Sequence, residues 1–151
     1  MKTLLIYKSI HHGNTEKIAK VMANSLEAEL MDLKNYQTNL IDEYDLIGFG
    51  SGIYFNKPHK KLIKFIDDLN DVKGKKAFVF TTSGRGTIGY NDLLINKLSH
   101  KGFKIIGDFS CKGFDTWGPF KLIGGLNKGK PDEEDLKNVK KFAESLNGEI
   151  E

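Results

Sequence analysis

The N-terminal segment narrows the possible folds of this chain more than any other stretch. Thr3-Leu-Leu-Ile-Tyr7 is an apolar run of strand length, and Ile18, Ala19, Met22, Ala23 and Leu26 recur at the spacing of one helical face. Between them lies Ser9-Ile-His-His-Gly-Asn-Thr15. A strand that turns through hydroxyls and a glycine into a helix makes an anion site. The first backbone N–H groups of a helix have no partner within it, and its dipole favours negative charge there. Ser9, Asn14 and Thr15 add short polar side chains. The combination predicts a phosphate site on an α/β fold.

Strand and helix signals alternate through the rest of the chain. Glu29–Leu33, Asp45–Gly50, Lys76–Thr81 and Phe103–Phe109 read as four further strands. The near-continuous apolar character of Asp45–Gly50 is that of a strand buried on both faces. A helix with Leu62, Phe65, Ile66 and Leu69 inward is expected to open with Pro58 in its first turn. Another spans about Tyr90 to Lys101, buries Leu93, Leu94 and Leu98, and stops at Gly102. The last enters through Pro131 and Asp132 and carries Leu136, Val139, Phe142, Ala143 and Leu146. Five βα units make a doubly wound sheet, and ligands of such sheets bind beyond the carboxyl ends of the strands. Three segments reach that edge: Ser9–Thr15, Ser51–Lys57 and Thr82–Gly86. The long Cys111–Lys130 loop should flank them, since loops of that length in compact domains usually serve function.

At 151 residues the chain reads as a single domain, residues 1–151. Its net charge of +3 comes from dispersed lysines, which argues against nucleic acid and favours an acidic partner or an anionic substrate. The single cysteine, Cys111, excludes an internal disulfide framework and fits a reducing cytoplasm. It reads as a small buried hydrophobe. The chain carries neither an apolar run of membrane-span length nor a signal-peptide pattern, so a cytoplasmic location is expected. Nor does it show a Cys-x-x-Cys or His-x-x-x-His metal pair. Lys8 and Ser9 stand where a phosphorylation receiver needs carboxylates. The first loop lacks a phosphatase cysteine, and the dinucleotide fingerprint is absent from it. Gly48, Gly50 and Gly52 alternate at the end of the third strand and read as a close backbone approach to a flat ligand.

With these residues in place, Leu5-Ile-Tyr7, Ser9, Gly13-Asn14-Thr15, Ala19 and Gly48-Phe-Gly50-Ser51, the chain resembles the flavodoxin family over essentially its whole length. The resemblance implies a three-layer α/β sandwich with a five-stranded parallel sheet in the order 2-1-3-4-5. It also implies noncovalent FMN. Ser9, His11, His12, Gly13, Asn14 and Thr15 would hold the phosphate. Ser51, Gly52, Ile53, Tyr54, Phe55 and Asn56, with Thr82, Ser83, Gly84 and Arg85, would line the ring.

This chain departs from the family pattern at three places. The first turn is one residue longer and contains two histidines. Each is either a phosphate donor or a solvated loop residue, and adjacency to Gly13 favours His12. Phe55 falls about where many flavodoxins place a glycine, whose peptide flips to hydrogen-bond flavin N5 in the one-electron form. A bulky residue restricts that flip, although the neighbouring Asn56 tolerates positive φ. The one-electron form is therefore expected to be less stabilised, which photoreduction would read. Lys57 and Arg85 replace acidic or neutral residues and, if not simply solvated, make the second-electron potential less negative. A redox titration reads that shift. Tyr54 or Phe55 is placed to stack on the ring. Trp117 either covers the flavin or packs beside Phe114, while Tyr90 reads as a helix-start core residue.

The resemblance implies an electron-transfer protein that shuttles electrons between redox partners with acidic docking surfaces. The alternative on the same fold is an FMN-dependent NAD(P)H/quinone-type oxidoreductase acting on a small quinone-like acceptor. Electron transfer requires no general acid or base, and the sequence shows no obvious pair for one and offers no catalytic residue.

Overall fold

A computed structural model describes residues 1–9, 13–35, 41–84, 86, 88–113 and 129–150. Five parallel strands form its central sheet: β1 (Thr3–Lys8), β2 (Glu29–Asp32), β3 (Leu46–Tyr54), β5 (Lys76–Ser83) and β6 (Lys104–Lys112). They lie in the order β2-β1-β3-β5-β6. That is the expected 2-1-3-4-5 order once the parallel strands alone are counted. The sheet also carries a short sixth strand, β4 (Lys57–Pro58), paired antiparallel with the end of β3.

The helices are α1 (Asn14–Leu26), α2 (Lys60–Asp67), α3 (Asp92–His100) and α4 (Glu133–Ile150). Strand alternation sends successive side chains to opposite faces. Leu4, Ile6, Ile47, Phe49 and Val79 pack against Leu62 and Ile66 of α2 and Leu94 and Leu98 of α3. Leu5, Tyr7, Phe78 and Phe80 pack against Ile18 and Met22 of α1 and Val139 and Leu146 of α4. The sheet is thus covered on both sides, which explains its apolar central strands.

Two sequence expectations change here. Pro58 does not open α2. It sits in β4 opposite Ile53, and His59 caps the helix instead. Proline suits a short outer strand because its missing N–H costs no ladder bond there. Gly48 and Gly50 of β3 serve the core rather than a ligand. Gly48 lies opposite Phe78 and Gly50 opposite Phe80. A Cβ on Gly48 would meet the Phe78 ring at 2.4 Å, and one on Gly50 the Phe80 ring at 2.1 Å. The Phe78 and Phe80 rings fill the space those side chains would take.

The end of α3 follows the sequence reading. Gly102, at φ +98°, receives the chain as it leaves the helix. Its N–H donates to Ser99 O at 3.0 Å, and Phe103 N–H donates to Leu98 O at 3.1 Å. These are the two bonds of a glycine-ended helix.

Candidate functional site

All three predicted segments lie at the carboxyl ends of the parallel strands. Lys8 pairs with Ser51, Ser51 with Thr81, and Gly52 with Thr82, so the ends of β1, β3 and β5 stand side by side. Side chains and loop backbone then join them. Thr15 Oγ1 and Thr82 Oγ1 share a buried hydrogen bond of 2.8 Å between α1 and β5. Gly113 N–H donates to Ser83 O at 3.0 Å. A Cβ on Gly113 would fall 2.5 Å from the Asn14 side-chain nitrogen. Gly113 therefore lets the chain after β6 close against both other segments. Sequence reasoning passed over it, although a glycine just past a strand end was a usable signal.

At the first segment, Gly13 takes φ +64° and ψ +29°, and no side chain caps α1. That left-handed turn suits glycine and leaves the first N–H groups of the helix facing the strand end. Ser9 Oγ is buried and has no hydrogen-bond partner among the described residues. A buried hydroxyl left unpaired costs about 1–3 kcal/mol. Beside a helix N-terminus, the chemistry that satisfies it best is an oxyanion. Glu16, also in the first turn of α1, faces Tyr7 Oη at 3.3 Å and Lys20 Nζ at 3.5 Å. Burial together with Glu16 and Asp32 pushes the Tyr7 phenol up to about 12, so it stays a neutral donor. His11 and His12 lie outside the described residues, as do Arg85, Phe114 and Trp117.

The second segment is a hairpin. Ile53 pairs with Pro58 and Tyr54 with Lys57, leaving Phe55 and Asn56 as the turn. Both have positive φ, +52° and +64°, the arrangement of a type I′ turn. Asn accepts this readily, whereas a phenylalanine held there is strained by about 1–2 kcal/mol. Phe55 thus already occupies a conformation that favours glycine. Tyr90 Oη donates to Asn56 Oδ1 at 3.2 Å, so Tyr90 secures the turn rather than joining the core. Tyr54 folds back along β3: a Cβ on Gly52 would meet its hydroxyl at 2.5 Å, and its ring stands edge-on to His59 at 5.4 Å.

Ser51 is fully buried. Its hydroxyl donates to Gly52 O at 2.6 Å and accepts from His59 N–H at 2.8 Å. It shapes the loop and turns no side-chain group outward. Ser83 acts similarly in the third segment: its Oγ accepts from Gly86 N–H at 2.7 Å. Deeper in the sheet, Thr81 Oγ1 donates to Asn91 Oδ1 at 2.5 Å, and Asn91 Nδ2 donates to Phe109 O at 3.1 Å. This network fixes the turn that precedes α3.

His59 was not foreseen, because its side chain is an uncommon helix cap. Its Nδ1 accepts from Lys61 N–H at 3.0 Å, which requires that nitrogen to be unprotonated. Burial, then the charges of Lys8, Lys61 and Lys60, lower its pKa below 6.5. Because the folded pKa is depressed, stability is complete above the unfolded value and falls as pH drops below it. Heating the protein at about pH 7.5 and about pH 5.5 should show a loss at the lower pH that His59→Asn, a cap that does not titrate, reduces. Equal losses in both proteins would remove His59 as the cause. Cys111 is buried at the end of β6, and burial foremost pushes its thiol up to about 12, which makes it an unreactive core residue.

Among the described residues, no group of three or more His, Cys, Asp or Glu is placed to hold a metal ion. No described helix is long and apolar enough to cross a membrane.

A parallel sheet in the order β2-β1-β3-β5-β6, covered by helices on both faces, defines a flavodoxin-like fold. The chain belongs to the flavodoxin family, whose flavodoxin-domain model matches residues 4–99. An uncharacterized protein of Methanocaldococcus jannaschii is 51% identical over 148 residues, covering 97% of this chain and 98% of its own. A solved flavodoxin from the domain Archaea superposes with a TM-score of 0.76 at 18% identity, covering 99% of each chain. Oxidised flavodoxin 2 from Bacillus cereus superposes at 0.75 with 21% identity, again covering 99% of each. At those identities the structural likeness establishes the fold.

Proposed function

We propose that this protein binds FMN at the carboxyl edge of its sheet and transfers electrons between redox partners. The observation that carries the reading is the buried Ser9 hydroxyl at the end of β1, without a partner among the described residues, four positions before the Gly13 that opens α1 with no side-chain cap, in a flavodoxin fold. In this reading Ser9 and the N–H groups following Gly13 hold the phosphate, with His11 and His12 alongside. Thr15 is hydrogen-bonded to Thr82 and ties the cradle to the third loop. The β3–β4 hairpin, through Ile53, Tyr54, Phe55 and Asn56, walls one side of the ring. Thr82, Ser83, Gly84 and Arg85 wall the other, and Trp117 covers the edge.

Bound FMN supplies one- and two-electron redox chemistry. The chain's own part is to orient the ring, exclude water from it and set its electrostatic surroundings. Lys57 is exposed in the hairpin and adds positive charge near that edge. Electron transfer requires no general acid or base of the chain.

The test is titration of the flavin-free protein with FMN, followed by NAD(P)H oxidation with and without a quinone. Tight FMN uptake with negligible NAD(P)H turnover supports the carrier. Rapid quinone-dependent turnover would replace it with the oxidoreductase, and failure to take up FMN would defeat both.

A further inference from the structure

We propose that the β3–β4 hairpin and the first turn of α2 form a docking surface for a redox protein with carboxylates clustered around its own cofactor. This rests on the electron-transfer reading above. No Asp or Glu occurs between Asp45 and Asp67, a stretch that carries Lys57, Lys60, Lys61 and Lys64. Lys64 is paired with Asp68 at 2.9 Å. Lys57, Lys60 and Lys61 are exposed and form no ion pair with any carboxylate among the described residues.

An apolar centre accompanies the charge. Phe55 is 76% exposed at the tip of the hairpin, more than the other large exposed hydrophobic residues among those described, Met1 at 62% and Leu30 at 39%. Phe55 is held there in a strained left-handed turn rather than tucked under it. Strain of that kind persists only where the surroundings impose it. Tyr90 holds Asn56, Ser51 holds the His59 N–H, and Pro58 is buried beneath. A surface already ordered loses little entropy on binding. An aromatic centre with a rim of like charge is a recurrent recognition pattern: the rim steers and the centre contributes affinity.

Charge elsewhere is arranged differently. Along α4, Lys137, Lys140 and Lys141 follow Glu133, Glu134 and Asp135 and precede Glu144. At the opposite edge of the sheet, Lys75 Nζ is committed to Tyr44 O at 2.6 Å, with Asp45 nearby. Lys57 lies in β4, paired with the end of β3, and Lys60 and Lys61 open the helix that follows, so the three lysines flank the carboxyl edge of the sheet. A partner seated on them therefore reaches the electron-exchanging edge.

The experiment measures binding of the protein, with and without added FMN, to an immobilised acidic two-iron, two-sulfur ferredoxin across a range of salt. Lys57→Gln/Lys60→Gln/Lys61→Gln should weaken binding about tenfold at low ionic strength, an effect that fades in about 0.5 M salt. Phe55→Ala should weaken it about tenfold by loss of the aromatic anchor. Lys137→Gln/Lys140→Gln/Lys141→Gln removes the same charge from α4 and should change it less than about twofold. Equal weakening by the two triple variants, or binding indifferent to salt, would overturn the proposal. Binding that follows the expected pattern in a protein that takes up no FMN would support the surface while removing the electron-transfer reading. FMN uptake with unaffected ferredoxin binding in the hairpin variants would do the reverse.

Discussion

Ser9→Ala is expected to weaken FMN binding by about 10- to 100-fold while leaving the flavin-free protein at least as stable as before. The opposite signs follow from one atom. Ser9 Oγ is buried without a partner among the described residues. In the flavin-free protein its removal relieves a desolvated hydroxyl, an effect of about 1–3 kcal/mol. With phosphate present, the same hydroxyl donates to a charged oxygen, a bond worth about 1.5–3 kcal/mol, and each 1.4 kcal/mol is about tenfold in affinity. Fluorescence titration with FMN and with riboflavin separates the cradle from the ring site. Riboflavin lacks the phosphate, so its affinity should not change. If Ser9→Ala weakens both flavins alike, the hydroxyl contacts something other than phosphate. If it weakens neither, the cradle is misplaced.

The largest effect on folding is expected at the far edge of the sheet. Gly102→Ala should destabilise the protein by about 3–5 kcal/mol, because two independent penalties coincide. At φ +98° an L side chain is strained by about 1–2 kcal/mol. Its Cβ would also fall 1.9 Å from the Val72 carbonyl oxygen, a backbone atom that cannot rotate away. Val72 N–H and Gly74 N–H are bonded to Lys101 O and Gly102 O at 2.7 and 2.9 Å, so relief requires separating the two loops. Gly74→Ala provides the comparison. Its φ is +70°, but nothing lies within 4 Å of its Cβ, so only the backbone penalty applies. Melting temperatures of the two variants should differ by several degrees, at about 2–4 °C per kcal/mol for a chain of this size. Equal losses would mean that the Val72 loop gives way freely.

Much of the fold was legible because its signals act over a few residues. The alternation of strand and helix and the glycine stop at Gly102 follow from period and local φ, whereas the order of the parallel strands came from the family resemblance. Strand ends were less legible. β3 runs to Tyr54 and β5 to Ser83, beyond the apolar runs ending at Gly50 and Thr81. Ser51, Thr82 and Ser83 are buried polar residues. Hydrophobic pattern stops at them, whereas backbone pairing does not. Pro58 was misread because the same fixed φ suits a helix start and an outer strand, and only its pairing with Ile53 distinguishes the two.

The candidate site divides the same way. Ser9, Gly13, Asn14 and Thr15 led to the expectation of an anion cradle from sequence alone, since a helix N-terminus after a strand is a local construction. Its consequences for neighbouring loops were not local. The Thr15–Thr82 bond, the fit of Gly113 against Asn14 and the capping of α2 by His59 each join residues whose proximity no spacing rule states. Gly48 and Gly50 are the clearest case. As a sequence pattern they suggested room for a ligand, and the register that sets them opposite Phe78 and Phe80 gives that room to the core. The sequence by itself determined which segments become strands, helices and the phosphate turn, because propensity and period are properties of neighbours along the chain. The tertiary structure alone decided which hydroxyls are spent on shape and which glycines make space for rings, because those depend on atoms brought together across the sheet.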